Sequence, residues 1–209
     1  AELINFALMI SIPTIKQGKP PNLADWANLD IGISLDGLSL GMTGDNLTVV
    51  GFLDRIDTAS AQGFQGGLGV TFEAYDFTAF ASYEDVTDNG QTFMSLMAYA
   101  ELQGPILKTP IVEIRGISGG FGLGSQLTVP PVTDLGSFPL LMSSSPTPNA
   151  INAFAELQGT SGGTQCITPV NGATWVAVGV LGIACETVDI SAVLTLALGP
   201  QVDEIAILG

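Results

Sequence analysis

The sequence predicts a mainly β protein, an antiparallel meander of about eight to ten long strands forming a curved sheet, a sandwich or an open barrel. Three observations predict it. Apolar residues recur at every second position through most of the chain, which places them on one face of extended backbone. Clusters of Gly, Asn and Asp interrupt that alternation where hairpins would turn, Asp88-Asn89-Gly90 most clearly. Only one short segment, near residues 148–158, carries helical spacing.

The first clear strand runs from Ile31 to Leu40, where Gly37 shifts the alternation by one residue in the manner of a bulge. Gly44-Asp45-Asn46 turns the chain, and Leu47 to Leu53 returns beside it. Thr58 to Gly67 reads as a loop of small residues. Leu68, Val70, Phe72 and Ala74 then alternate with polar or small residues, and the pattern resumes after Asp76 through Phe77 and Tyr83. That is one long strand or two joined by a kink. Asn89-Gly90 suits the positive φ angles of a tight hairpin, so Thr92 to Leu102 is the return strand. Gly104-Pro105 and Pro110 frame the connection to a strand starting at Ile111.

Ile114 to Gly124 holds Gly116, Gly119, Gly120, Gly122 and Gly124. A phosphate loop needs a following Lys and Ser or Thr, and a dinucleotide fingerprint needs a following helix; neither is present. The glycines are expected to let a strand bend sharply or another backbone lie close. Thr147 is a natural N-cap with Pro148 in the first helical position, and Ile151, Phe154 and Leu157 share one face before Gly159 stops the helix. So short a helix must dock to persist. With its flanks it forms a helix-plus-loop insertion, 143–172, in an otherwise single β-rich domain, 1–209. Trp175 to Cys185 is apolar on both faces, which predicts a strand covered on both sides. Alternation from Ile190 to Leu198 and a last strand from about Asp203 complete the order. Ala1 and the apolar stretch before Gly209 lead us to expect a fragment of a longer chain.

Composition excludes whole classes of function. The 209 residues carry 20 acidic and 5 basic side chains, a formal charge of -15. General nucleic-acid binding needs cations against phosphates, and a polybasic grip on anionic lipid needs the same. No His is present, which removes the usual general base and the commonest metal ligand. Mean hydropathy is +0.46 and only 12% of residues are charged, too greasy for disorder. No apolar run is long enough and helical enough to span a membrane. A transmembrane barrel of alternating strands lacks the expected aromatic girdles.

Candidate chemistry is sparse. Asp54 with Asp57, Glu84 with Asp85 and Asp88, and Asp203 with Glu204 are the paired carboxylates. They fall at strand ends and read better as a solvating rim than as a hydrolase pair. Asp85 and Asp88 lack calcium-loop spacing, and no serine sits in a nucleophile elbow. We therefore expect no catalytic residue, no cofactor and no metal site. Cys166 and Cys185 either form a disulfide or remain buried thiols. Asn46-Leu47-Thr48 is a glycosylation sequon next to a turn, which favours an extracellular or cell-surface location.

Four stretches together resemble a family known as domain of unknown function 6603, large sheet-rich fungal and bacterial proteins. They are Leu35-Asp36-Gly37-Leu38 within the first strand, Gly119-Gly120-Phe121-Gly122, the segment closing in Phe138-Pro139-Leu140, and Trp175-Val176-Ala177-Val178-Gly179-Val180 with the step from Glu186 to Asp189. The likeness covers roughly residues 30–209; the two cysteines depart from it. It implies a slice of a longer sheet-rich polypeptide and no particular activity.

Two functions follow from the strand pattern. Faces of Gly, Ser, Thr and Ala, such as the one holding Thr195, permit close approach, and unguarded edges can template neighbours. The leading expectation is a non-enzymatic structural protein whose partner is itself, assembling edge to edge or into a filament. The alternative is a carrier of lipid or another hydrophobic ligand along a greasy sheet face.

Overall fold

In the computed structural model, the described residues are 2–4, 7–11, 30–34, 36–138, 140–141, 166–200 and 203–209. They form β1 (Glu2–Ile4), β2 (Ala7–Ser11), β3 (Asp30–Ser34), β4 (Gly37–Thr43), β5 (Leu47–Asp57), β6 (Ala61–Phe72), β7 (Tyr75–Asp88), β8 (Gln91–Lys108), β9 (Val112–Leu127), β10 (Ile167–Ala184), β11 (Val188–Leu198) and β12 (Asp203–Leu208). Among the described residues one 3-10 turn, Val132–Ser137, lies between β9 and β10. From β4 to β12 each strand pairs antiparallel with the next, nine strands in one open meander, and β1 adds at the β4 edge. The mainly β, antiparallel prediction holds. The helix expected near 148–158 lies outside the described residues.

The turns explain the meander. Gly44 N–H donates to the Leu47 carbonyl at 2.7 Å, closing the β4–β5 hairpin where the Gly-Asp-Asn cluster predicted it. Asn89 and Gly90 take φ of 48° and 78°, the left-handed pair of a tight two-residue hairpin turn. Between β6 and β7 the chain turns at Glu73-Ala74, with Glu73 at φ 54°, so the two halves of that alternation are a hairpin and not a kinked strand.

Four further boundaries differ from the sequence reading. Ile31 to Leu40 is two strands: β3 pairs with β2 in a separate small sheet, and β4 joins the meander. Thr58 to Gly67 is a loop only as far as Ser60, where the Thr58 hydroxyl accepts from the Ala61 N–H at 3.0 Å. Its remaining residues belong to β6, their small size admitting neighbours such as the Phe52 ring at Gly67. Gly104-Pro105 sits inside β8 at a register shift between Gln103 and Leu107, and the β8–β9 turn comes later, at Thr109–Ile111. The 167–172 end of the expected insertion loop is the start of β10.

Because in-register antiparallel partners project to the same side, the register assigns every strand residue to one of two faces. One face carries the core: Phe80 on β7, Met97 and Tyr99 on β8, Trp175 and Ala177 on β10, and Val193 on β11. Phe138 and Leu140, which follow the 3-10 turn, join this cluster with Cys166 and Leu127. The Thr128 N–H donates to the Cys166 carbonyl at 2.7 Å, pinning the exit from β9 to the entry of β10. Phe80 and Tyr99 stack with centroids 4.9 Å apart. Trp175 Nε1 donates to Ser125 Oγ at 3.2 Å, giving the buried indole its partner.

Candidate functional site

The opposite face is bare. Two cross-strand rows run through its centre. The first reads Leu53, Gly66, Ala81, Ala98 and Phe121, and continues through Val176 and Leu196 to Ile205. The second reads Gly51, Leu68, Ala79, Ala100 and Gly119, and continues through Val178 and Leu194 to Ile207. No side chain in either row carries a polar atom. Exposure is high for such residues: Val178 58%, Ile205 73%, Ile207 79%. Ordinary monomers do not leave so continuous an apolar surface open.

Side-chain size shapes this face. Across β6 to β9 the two rows are mostly Gly and Ala, while Leu53, Phe64, Leu68, Tyr83, Leu96 and Phe121 stand around them. The result is a trough of about 850 Å³. Its floor is backbone already hydrogen-bonded on both sides within the sheet, so it offers an occupant no hydrogen bond.

The leading expectation from the sequence took the small and hydroxyl residues as the contact surface, yet Ser82, Ser95, Ser118, Ser125 and Thr195 are buried on the core side. The alternative expectation, a ligand along a greasy sheet face, concerns the side that stands bare. Small residues on the core side let Trp175 and Tyr99 lie flat against the strands. A Cβ at Gly122 would collide with Trp175 Nε1, and one at Gly120 would come 2.9 Å from Tyr99 Cδ2. The glycine-rich segment lies in β9 with rings and neighbouring backbone close against it, which is the second of the two roles expected for these glycines. Gly116, Gly120 and Gly122 face the core, Gly119 faces the trough, and Gly124, at φ 60°, sits at an irregularity. The expectation that β10 is covered on both sides is also corrected: Trp175 is 1% exposed, while Val176, Val178 and Val180 stand on the bare face.

The paired carboxylates do not converge. Asp54 and Asp57 project to opposite faces, as do Glu84 and Asp85, and Asp203 and Glu204. Among the described residues no group of three acids or thiols could hold a metal. The cationic side chains among the described residues are salt-bridged: Arg55 to Asp57 at 3.1 Å, and Lys108 and Arg115 both to Glu113. These hydrogen bonds, the one from Arg115 first, hold the Glu113 carboxyl below its usual range. On the core side, burial pushes Glu101 up despite hydrogen bonds from the Tyr99 hydroxyl at 3.3 Å and the Gln103 amide at 3.4 Å. Burial, and then the Glu101 charge, push the Tyr99 phenol up in turn. Ser118 Oγ is buried next to this group, close to the Tyr99 hydroxyl.

Cys166 and Cys185 are both free thiols. They bracket β10, whose 18 residues separate them by about 60 Å, so no disulfide can join them in this fold. Cys166 is a small core hydrophobe whose thiol burial pushes up; Cys185 is exposed in the β10–β11 turn. Asn46, the sequon residue, lies in the β4–β5 turn, an exposed position.

The chain belongs to a family of unknown function, DUF6603. The match covers residues 1–209, so the likeness first seen over 30–209 extends through β1 and β2. No curated protein and no solved structure matches the chain. Membership in DUF6603 brings no activity with it, and the trough is argued from its own geometry.

Proposed function

We propose that this DUF6603 chain is a non-catalytic cradle that holds hydrocarbon chains along the bare face of its sheet. The observation that carries the reading is the pair of central rows without a polar side chain, depressed into a trough where they cross β6 to β9. A hydrocarbon is the occupant that loses nothing on such a floor, because it has no hydrogen bonds to give up. Each covered Leu, Phe or Val side chain contributes about 1.5–3 kcal/mol when fully withdrawn from water, so a few suffice to offset the cost of ordering a ligand. The test is uptake of an uncharged fluorescent hydrocarbon, diphenylhexatriene, with mass spectrometry of an organic extract of the purified protein. We expect saturable uptake and co-purifying lipid, with uptake lost in Ala98→Trp, which fills the trough without touching the core. A native protein that takes up no probe and carries no lipid ends the reading.

A second reading, edge-to-edge self-association, is favoured by β12. Among the described residues β12 pairs on one side only, presents Ile205 and Ile207, and has neither proline nor lysine along its edge. Light scattering over rising concentration tests it: growth that Ile207→Lys abolishes supports the reading, and a monomer at every concentration refutes it.

A further inference from the structure

We infer that the trough selects single-chain amphiphiles whose head carries a quaternary ammonium, held at the end where β7 reaches Asp85; this rests on the hydrocarbon-cradle reading above. The two ends of the bare face differ in charge. Toward Phe77 and Leu102 the next row is apolar and beyond it stand Phe72 and Tyr75; the acid at that end, Glu73, lies in the turn between them and belongs to no row of the face. Toward the other end the row Arg55, Phe64, Tyr83 is followed by Asp57, Gln62, Asp85. Tyr83 to Phe77 spans about 20 Å of strand, room for a tail laid across the Ala81 and Ala79 positions.

The charges at this mouth are not equivalent. Arg55 lies 3.1 Å from Asp57 and neutralises it. Asp85 has no lysine or arginine beside it among the described residues and accepts only a long hydrogen bond, 3.4 Å, from the Tyr83 hydroxyl. Phe64 and Tyr83 are cross-strand partners, both half-exposed, and Asp85 follows Tyr83 on the same face. Two aromatic faces beside an uncompensated carboxylate form the chemistry that recognises a quaternary ammonium, which is attracted to ring and acid and needs no hydrogen bond. An anionic head at the same place would face Asp85 directly and find Arg55 already occupied.

The experiment uses the full chain and three amphiphiles with one tail: dodecyltrimethylammonium, dodecyl maltoside and dodecyl sulfate, titrated calorimetrically below their micelle concentrations. We expect the ammonium to bind tightest and the sulfate weakest. The net charge of the protein attracts any cation, so the deciding comparison is between two variants of equal charge. Asp85→Asn should weaken the ammonium about fivefold and leave the maltoside unchanged, whereas Asp45→Asn, at the opposite end of β5, should leave both unchanged. Equal losses in the two variants, or none in Asp85→Asn, would overturn the head-group assignment while maltoside binding kept the cradle. If no amphiphile bound the native protein, the cradle itself would fall and the head-group assignment with it.

Discussion

The two faces of this sheet are built from the same strands, and residues one position apart meet opposite fates. On β10, Trp175 is sealed under the chain that follows β9, while its neighbour Val176 stands half out in water. On β9, Gly120 and Gly122 are crowded by rings, while Gly119 looks onto open space. Hydropathy does not separate the faces, since the covered one holds the buried serines and the bare one holds most of the valine and leucine. What separates them is relief. The covered face is small enough in places for large rings to be laid on it, and the bare face is large except for one Gly and Ala depression. The first is a surface already filled; the second is shaped to be filled by something that brings no polar groups.

The sharpest way to break this comparison is at the Trp175 and Val176 pair. Trp175→Ala removes the buried indole and leaves the Ser125 hydroxyl without its donor, and we expect a loss of about 3–5 kcal/mol in urea unfolding. Val176→Ala should cost well under about 1 kcal/mol, because its side chain is already largely in water. Comparable losses would mean that the bare face is covered in solution, and would turn the cradle into an interface.

The glycines give the next contrast. Gly122→Val would drive a branched side chain into the Trp175 ring, and we expect a loss of about 3 kcal/mol or an unfolded chain. At Gly119 an added Cβ meets only the Ala177 carbonyl, 3.9 Å away. Gly119→Val should therefore keep the fold, and even gain strand propensity, while raising the trough floor and weakening hydrocarbon uptake several-fold. Circular dichroism with probe titration separates the two effects. A Gly119→Val protein that folds and still takes up probe at full strength would place the ligand elsewhere.

These pairs also show how much the sequence could disclose. Period-two alternation and the Asn89-Gly90 turn carried the antiparallel meander, because both are local rules. Leu196, Thr195 and Leu194 were legible as alternating, but nothing local says which side a covering segment will take. On the covered side Phe138 and Leu140 pack against the core, and they are distant in the chain from the strands that they touch. The same blindness misread Ile31 to Leu40, where a break into two sheets leaves no mark beyond one glycine. The trough was legible only as unrelated alanines and glycines; it exists because the register stacks Ala81 beside Ala98 and Ala79 beside Ala100. Asp85 looked like rim charge in a string of acids until the pairing set it beside Tyr83 on the bare side.

Acid titration is the gentlest probe of the difference, because the ionisable groups are unevenly divided. Glu101 and Glu84 project to the covered face and burial raises both, whereas the central rows of the bare face hold nothing that titrates. A carboxyl raised in the folded state keeps its proton where the unfolded chain has already lost it. The folded state then binds more protons, so stability is greatest below the unfolded value and declines as pH rises through the interval up to the folded one. Glu113 works in the opposite sense, its stabilising pairs being lost as pH falls, but it is a solvent-facing group and its share is small. We expect the melting temperature to fall by a few degrees as pH rises above the ordinary carboxylate range, and Glu101→Gln to flatten that slope. Relief of the general negative charge slopes the same way, so the variant decides: a Glu101→Gln profile parallel to the native one would assign the slope to the whole surface. Uptake of an uncharged hydrocarbon, measured over the same interval at a temperature where the protein stays folded, should not change with pH, since no acid lines its floor.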